Sequence, residues 1–137
     1  MTTVHAFTNS QRLLDAPHKD LRRARAATLS IIPTTSGAVR SLEKVMPELE
    51  GRFLGMALRV PVPAVSIVDL TVVTNVPVTS ESINSAFRTA AAGPLKAILA
   101  VADYALVSVD FEGNSHSPIA DAHQTMVAGQ PPAKVLA

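Results

Sequence analysis

The sequence predicts an α+β fold, a largely antiparallel mixed sheet with helices on one face. Only two stretches carry the i, i+3, i+4 apolar spacing of an amphipathic helix. About six short β-branched or alternating runs read as strands. Those strands are mostly neighbours in sequence rather than alternating with helices, which argues against a doubly wound parallel sheet. A length of 137 residues suits one module, too short for a nucleotide domain and a substrate domain together.

Met1 to Phe7 is β-branched and apolar, and reads as a strand that begins without a leading turn or cap. From Thr8 to Ala26 the pattern turns polar and basic, with Asp15, Pro17 and Asp20 as turn formers, so a long functional loop is expected. Leu29 to Pro33 returns the chain to the core. Thr34-Thr35-Ser36-Gly37 then supplies cap residues for a helix with Ala38, Val39, Leu42, Val45 and Met46 on one face, ended by Pro47 and Gly51. Arg52 to Val60 and Val65 to Asn75 read as strands joined by a Pro61-Val62-Pro63 corner, whose prolines cannot donate ladder hydrogen bonds. In the second of these, Ser66, Val68, Leu70 and Val72 share the core face. Thr79 caps a helix carrying Ile83, Ala86, Phe87, Ala90 and Ala91 at helical spacing, with Glu81 in its first turn and Gly93-Pro94 as its stop. Leu95 to Ala102 is apolar without a decisive period. Leu106 to Phe111 alternates as a strand, Glu112-Gly113-Asn114 is a turn, Ile119 to Val127 is a strand, and Lys134 to Ala137 starts another. There is no internal repeat and no low-complexity segment.

Composition narrows the chemistry. The formal net charge is +1 and aromatics are 4%, which suggests neither a disordered tail nor a nucleic-acid partner. Cysteine is absent, so disulfides, thiolate metal sites and a thiol nucleophile are all excluded from these residues. No apolar run reaches the roughly 20 residues of a membrane span, and the first residues lack the pattern of a signal peptide, so no membrane partner and a cytoplasmic location are expected.

Within the loop, Arg12, Lys19, Arg22, Arg23 and Arg25 face only Asp15 and Asp20, an excess that suits phosphate binding or simple ion pairing. Ser36-Gly37 at a helix start offers unpaired N–H groups to an anion, or is merely a cap. Arg59 sits between Leu58 and Val60 in an apolar strand, where it must reach solvent, an acidic partner or a bound anion. His5, near a strand end and followed by Thr8, suits a general base or nucleophile activator, or a structural role. His18, His116 and His123 have no metal-ligand spacing, and no metal is expected.

The stretch TTVHAFTNSQRLLDAPHKDLRRARAATLSIIPTTSG, followed by GMALRVPVPAVSIVDLTV, resembles the catalytic domain of the phosphorylating glyceraldehyde-3-phosphate dehydrogenases. The likeness runs through the whole chain and is strongest from Met1 to Leu70. After Asp103, SHSPIADAHQTMV is equally similar to the erythrose-4-phosphate dehydrogenases. The resemblance implies that His5 is the catalytic histidine, which lowers the pKa of a cysteine that attacks the aldehyde and later aids proton transfer. Hydride then passes to NAD, and inorganic phosphate cleaves the resulting thioester. It further implies that Thr8 and Arg59 hold the phosphate of glyceraldehyde 3-phosphate, while Arg23, Ser36 and Gly37 hold the attacking inorganic phosphate. The loop Thr8 to Arg25 resembles the S-shaped loop that packs beside a neighbouring subunit's cofactor in a homotetramer. Ala16-Pro17 half matches the Leu-Pro pair of NAD-specific members, which makes Pro17 the cofactor-side residue, NAD the expected cofactor and NADP its alternative.

The departures from that family pattern matter equally. The catalytic cysteine in its Ser-Cys-Thr-Thr-Asn setting, the dinucleotide-binding domain with its GxGxxG turn, and the Trp-Tyr-Asp-Asn-Glu segment with the last helix all fall outside residues 1–137. The expectation is therefore a partial catalytic domain: the substrate half of a glycolytic oxidoreductase, inactive alone, and prone to aggregate through cut strand edges. Its rivals are a fragment of an erythrose-4-phosphate dehydrogenase, which the Ser36-Gly37 anion site argues against, and a non-catalytic sugar-phosphate-binding module.

Overall fold

A computed structural model describes residues 1–129 and 132–137. The chain divides into two compact units, Met1–Val68 and Asp69–Ala137.

In the first unit, strand β1 (Thr2–Ala6) pairs in parallel with β3 (Met56–Val60), and β3 pairs antiparallel with β2 (Ile32–Thr35). This register sets His5 of β1 opposite Arg59 of β3, with Ile32 of β2 on the other side of Arg59. The interior is built from small residues: Ala6, Ala26, Ala27 and Ala57 are buried with Ile32. Such residues let the loop backbone lie close against the strands.

The long loop is shaped by its own hydrogen bonds rather than left irregular. Arg12 N–H donates to Arg23 O at 3.2 Å, Ala27 N–H to Arg12 O at 2.9 Å, and Ala16 N–H to Ala24 O at 3.0 Å. Asp15 Oδ1 accepts Ala26 N–H at 2.7 Å, and Asp20 Oδ1 accepts Arg22 N–H at 2.9 Å, so both turn-forming carboxylates hold backbone. The return to the core starts later than the apolar pattern suggests: Leu29 is 79% exposed and Ile31 66%, and β2 begins only at Ile32.

Thr34 and Thr35 belong to β2, and the N-cap of helix α1 (Ala38–Val45) is Gly37, which makes no side-chain cap. Ser36 Oγ accepts Ala38 N–H at 3.2 Å instead. Pro47 opens a short 3-10 turn (Pro47–Leu49) and Gly51 takes a positive φ of 69°, so the helix ends as the sequence predicts. Arg52 to Gly55 precedes β3 rather than joining it. Gly55 has its own reason to be glycine, because an added Cβ would lie 2.6 Å from Val39 Cγ2 and 3.3 Å from Met1 O.

The Pro61-Val62-Pro63 corner bonds Val62 N–H to Val60 O at 2.8 Å, and Val62 O accepts Phe7 N–H at 3.3 Å. Val65 follows with φ 67°, an unfavourable conformation for a β-branched residue, and its carbonyl accepts Ala6 N–H at 3.3 Å. The corner thereby fixes the end of β1, beside His5. Strand β4 (Ser66–Val72) carries only part of the alternation expected of it: Ile67 and Thr71 are exposed between half-buried Ser66, Val68, Leu70 and Val72, but Asp69 on the polar face is half-buried as well.

In the second unit, β4 pairs antiparallel with β8 (Ala133–Leu136), which also pairs antiparallel with β7 (Met126–Val127). The strand order is thus β2-β3-β1 in the first unit and β4-β8-β7 in the second, six strands whose pairing is mixed and mostly antiparallel. A separate parallel pair joins β5 (Ala100–Ala102) and β6 (Ile119–Asp121). Helix α2 (Ser80–Ala92) begins with the Thr79 cap in a reciprocal box with Ser82, at 3.1 and 2.9 Å. Ile83, Phe87, Ala90 and Ala91 face inward as the spacing predicts, but Ala86 is exposed and the buried member is Asn84. Asn84 Nδ2 donates to Ala122 O at 2.9 Å, and Thr125 Oγ1 donates to Asn84 Oδ1 at 2.7 Å, satisfying a buried amide.

Two strand expectations fail here for one physical reason. Leu106 to Phe111 is not a strand but a 3-10 turn over Ser108–Phe111, because Asp110 Oδ2 accepts Val107 N–H at 2.8 Å. Ile119 to Val127 breaks after Asp121, whose Oδ1 accepts His123 N–H at 2.9 Å and starts the 3-10 turn Ala122–Gln124. Each aspartate offers the backbone a local partner in place of a ladder bond.

Candidate functional site

Every candidate residue lies in the first unit. Because β1 and β3 run parallel with His5 and Arg59 in register, both side chains leave the sheet on one face. Arg59 Nη1 sits 3.1 Å from His5 Nδ1 and donates to Ala6 O at 3.0 Å, while His5 Nδ1 lies 2.7 Å from the same carbonyl. A guanidinium can only donate, so Nδ1 cannot accept from Arg59 and donate to Ala6 O at once. The shorter contact favours the tautomer with the proton on Nδ1, which donates to Ala6 O and leaves Nε2 as the acceptor nitrogen. Ala6 O thus orients both the imidazole and the guanidinium.

Arg59 is half-buried. Burial first, and then the charge of nearby Arg23, lowers its pKa from the ordinary arginine value, although it stays cationic. Among the described residues no carboxylate pairs with Arg59, and two guanidinium groups that raise each other's electrostatic energy favour an anion beside them. Arg59 spends one contact on Ala6 O, and its other N–H donors are unengaged among the described residues.

Arg23 is fixed from the loop side. Its Nη2 donates to Thr34 Oγ1 at 2.7 Å, its Nη1 lies 3.5 Å from Ser10 Oγ, and its buried Nε pairs with Asp20 Oδ2 at 3.5 Å without making a hydrogen bond. Ser10 Oγ also lies 3.0 Å from Thr8 Oγ1. Thr8, Ser10, Arg23 and Thr34 therefore form a chain of polar side chains. Ser10 and Thr34 were not singled out by sequence, since Thr34 reads as a cap and a loop serine carries no periodic signal.

Ser36 and Gly37 stand apart from that chain. Gly37 has an ordinary φ of −72° and open space where a Cβ would be, so nothing in the fold itself demands glycine there. Pro17 is exposed, and its carbonyl accepts Arg12 Nε–H at 3.0 Å. The other histidines hold local structure: His18 Nδ1 accepts Asp20 N–H at 2.9 Å, His116 Nδ1 lies 2.9 Å from Asn114 Oδ1, and His123 Nε2 lies 3.0 Å from Asp103 O. Among the described residues no group of three metal-ligating side chains occurs.

The strands and this cluster define a class, an α+β domain in which an imidazole meets one guanidinium group, with a second near enough to act on the first through its charge. The family model described as glyceraldehyde 3-phosphate dehydrogenase, C-terminal domain, matches residues 1–137, and the chain belongs to that family. Among its relatives, the chloroplastic glyceraldehyde-3-phosphate dehydrogenase A of Chlamydomonas reinhardtii is 53% identical over 137 residues, covering 100% of this chain and 37% of that protein. Glyceraldehyde-3-phosphate dehydrogenase of Geobacillus stearothermophilus is 54% identical over 136 residues, covering 99% of this chain and 41% of its own length. The enzyme of the same name from Borreliella burgdorferi is 56% identical over 138 residues, again 99% of this chain and 41% of that protein. The chain spans about two fifths of the relatives it matches. No helix among the described residues is long and apolar enough to cross a membrane.

Proposed function

We propose that these residues are the substrate half of a phosphorylating glyceraldehyde-3-phosphate dehydrogenase, which oxidises an aldehyde to an acyl phosphate. The observation that carries this reading is the His5–Arg59 pair on Ala6 O, in which His5 Nδ1 lies 2.7 Å from that carbonyl and 3.1 Å from Arg59 Nη1, so that the imidazole is held by its Nδ1 side beside a cation. His5 Nε2 takes the proton from a thiol and returns one later, in the manner of a general base and acid. Arg59 and Thr8 hold the phosphate of the aldehyde substrate, and Arg23, Ser36 and Gly37 hold the inorganic phosphate, through charge-assisted bonds.

With no cysteine in the sequence, the thiol must come from outside residues 1–137, as must the dinucleotide-binding domain. The dinucleotide-binding turn would likewise lie outside these residues, and Pro17, whose carbonyl accepts Arg12 Nε–H at 3.0 Å, is the residue that would border NAD, with NADP its alternative. We place the assembly as a cytoplasmic homotetramer. The tetramer is supported by exposed apolar side chains in the loop and just after it, where Leu14 is 74% and Leu21 82% exposed and Leu13, Leu29 and Ile31 are exposed too.

The test uses the full-length enzyme. NADH formation from glyceraldehyde 3-phosphate and NAD is expected to require inorganic phosphate, and His5→Asn is expected to lower kcat by about 10²–10⁴-fold with little change in KM. Phosphate-independent turnover would instead favour the erythrose-4-phosphate type of chemistry. Unchanged kcat in His5→Asn would remove the histidine from the reaction.

A further inference from the structure

Gln11 is the one buried polar side chain of the Thr8–Ala26 loop among the described residues, with 7% of its surface exposed. Its backbone N–H donates to Thr8 O at 2.9 Å, and its side-chain Oε1 accepts Thr8 N–H at 3.2 Å. Both backbone polar groups of Thr8 are therefore held by a single residue. One residue on, Arg12 bonds Arg23 O at 3.2 Å and Ala27 N–H at 2.9 Å, so Gln11 sits where the arm carrying Thr8 is tied to the arm carrying Arg23. The amide Nε2 is buried without a hydrogen-bond partner. A buried donor left in that state is unfavourable, and a polar side chain kept there in a loop calls for a compensating role at its other end.

We propose that Gln11 is a positioning residue: its amide oxygen fixes the turn so that Thr8 Oγ1 faces the phosphate of the phosphorylated aldehyde, and Gln11 itself does not touch substrate. This rests on the assignment of Thr8 and Arg59 to that phosphate. Leucine or methionine would fill the same volume, but neither could accept the Thr8 N–H.

The experiment compares Gln11→Met with the unaltered full-length enzyme, using glyceraldehyde 3-phosphate and unphosphorylated glyceraldehyde as alternative substrates, together with peptide-level hydrogen exchange over residues 7–12. The KM for the phosphorylated substrate is expected to rise about three- to tenfold, as for loss of one buried hydrogen bond. The loss with glyceraldehyde, and the change in KM for inorganic phosphate, are expected to be much smaller, and amide exchange in the segment to quicken. Combined with Thr8→Ala, Gln11→Met should add nothing further, because it acts through Thr8. Equal losses with both aldehydes, or fully additive losses in the double variant, overturn the proposal. Should Gln11→Met fail to fold, Gln11→Asn withdraws both polar atoms by one methylene and is expected to give the same split. If Thr8→Ala and Arg59→Leu do not themselves discriminate between the aldehydes, the underlying phosphate assignment fails. If they do and Gln11→Met does not, only the role of Gln11 falls.

Discussion

Arg59→Leu gives the sharpest energetic test of the two-cation arrangement. Arg59 is half-buried near Arg23, and burial and that neighbouring charge both work against its protonated form. Leucine removes the like-charge contact, and Ala6 O keeps His5 Nδ1 at 2.7 Å as a partner, so the unliganded protein is expected to lose little stability. What it loses is the anion. Hydrogen bonds to a charged group contribute roughly 1.5–3 kcal/mol each, so losing one or two weakens phosphate binding by about 10- to 100-fold or more. For the unaltered enzyme at glycerol 3-phosphate, a non-reacting stand-in for the phosphorylated aldehyde, a hundredfold above its dissociation constant, binding stabilises the folded state by about 2.7 kcal/mol. A hundredfold weaker site at the same concentration contributes only about 0.4 kcal/mol. Thermal unfolding of the full-length enzyme over a glycerol 3-phosphate series without inorganic phosphate, with chloride at matched ionic strength to remove general screening, reads this difference as a shift in midpoint. Retention of the full glycerol 3-phosphate-dependent shift in Arg59→Leu would refute the reasoning.

Other parts of the structure make their own predictions. The Asp15 carboxyl is held below the ordinary carboxylate range, first by the Ala26 N–H and then by Arg25. Because its folded-state pKa is depressed, its contribution is complete above the ordinary carboxylate pKa and lost as pH falls through the folded value. Hydrogen-exchange protection of Ala26 should therefore fall below about pH 4, and Asp15→Asn should remove that pH dependence. Thr125→Val leaves buried Asn84 Oδ1 without its 2.7 Å donor, and should destabilise the second unit by about 1–3 kcal/mol in denaturant unfolding. A loss near zero would mean that water or a shifted side chain replaces the hydroxyl.

Long or strongly capped elements were the legible ones. The Thr79 cap and the Gly93-Pro94 stop are local chemistry, and the structure has each where the residues put it, with Ser82 completing a reciprocal box that the sequence reading did not include. The failures occurred where a single side chain outbid the apolar pattern. Asp110 and Asp121 each capture a nearby N–H and turn an alternating run into a 3-10 turn, an effect that periodicity alone does not register. Leu29 and Ile31 misled in the opposite sense, since apolar residues on an exposed loop look like the start of a strand.

In the candidate site, His5 and Arg59 were readable as odd polar residues in apolar strands, but their meeting depends on a parallel register between segments 54 positions apart. Arg23 was readable as part of a basic excess, whereas its partners Thr34 and Ser10, and the buried Gln11, carry no signal before the loop folds. Ser36 and Gly37 remain where the helix start put them, with Ser36 spent on its own turn.

The most direct measurement is a crystal of the full-length enzyme soaked in selenate, a tetrahedral dianion whose selenium is located by anomalous scattering. Anomalous peaks within hydrogen-bonding reach of the Arg59 and Arg23 guanidinium groups, with His5 Nε2 facing the space beside them, are the predicted result. Selenate bound only elsewhere, with both arginines turned to solvent, would contradict the account.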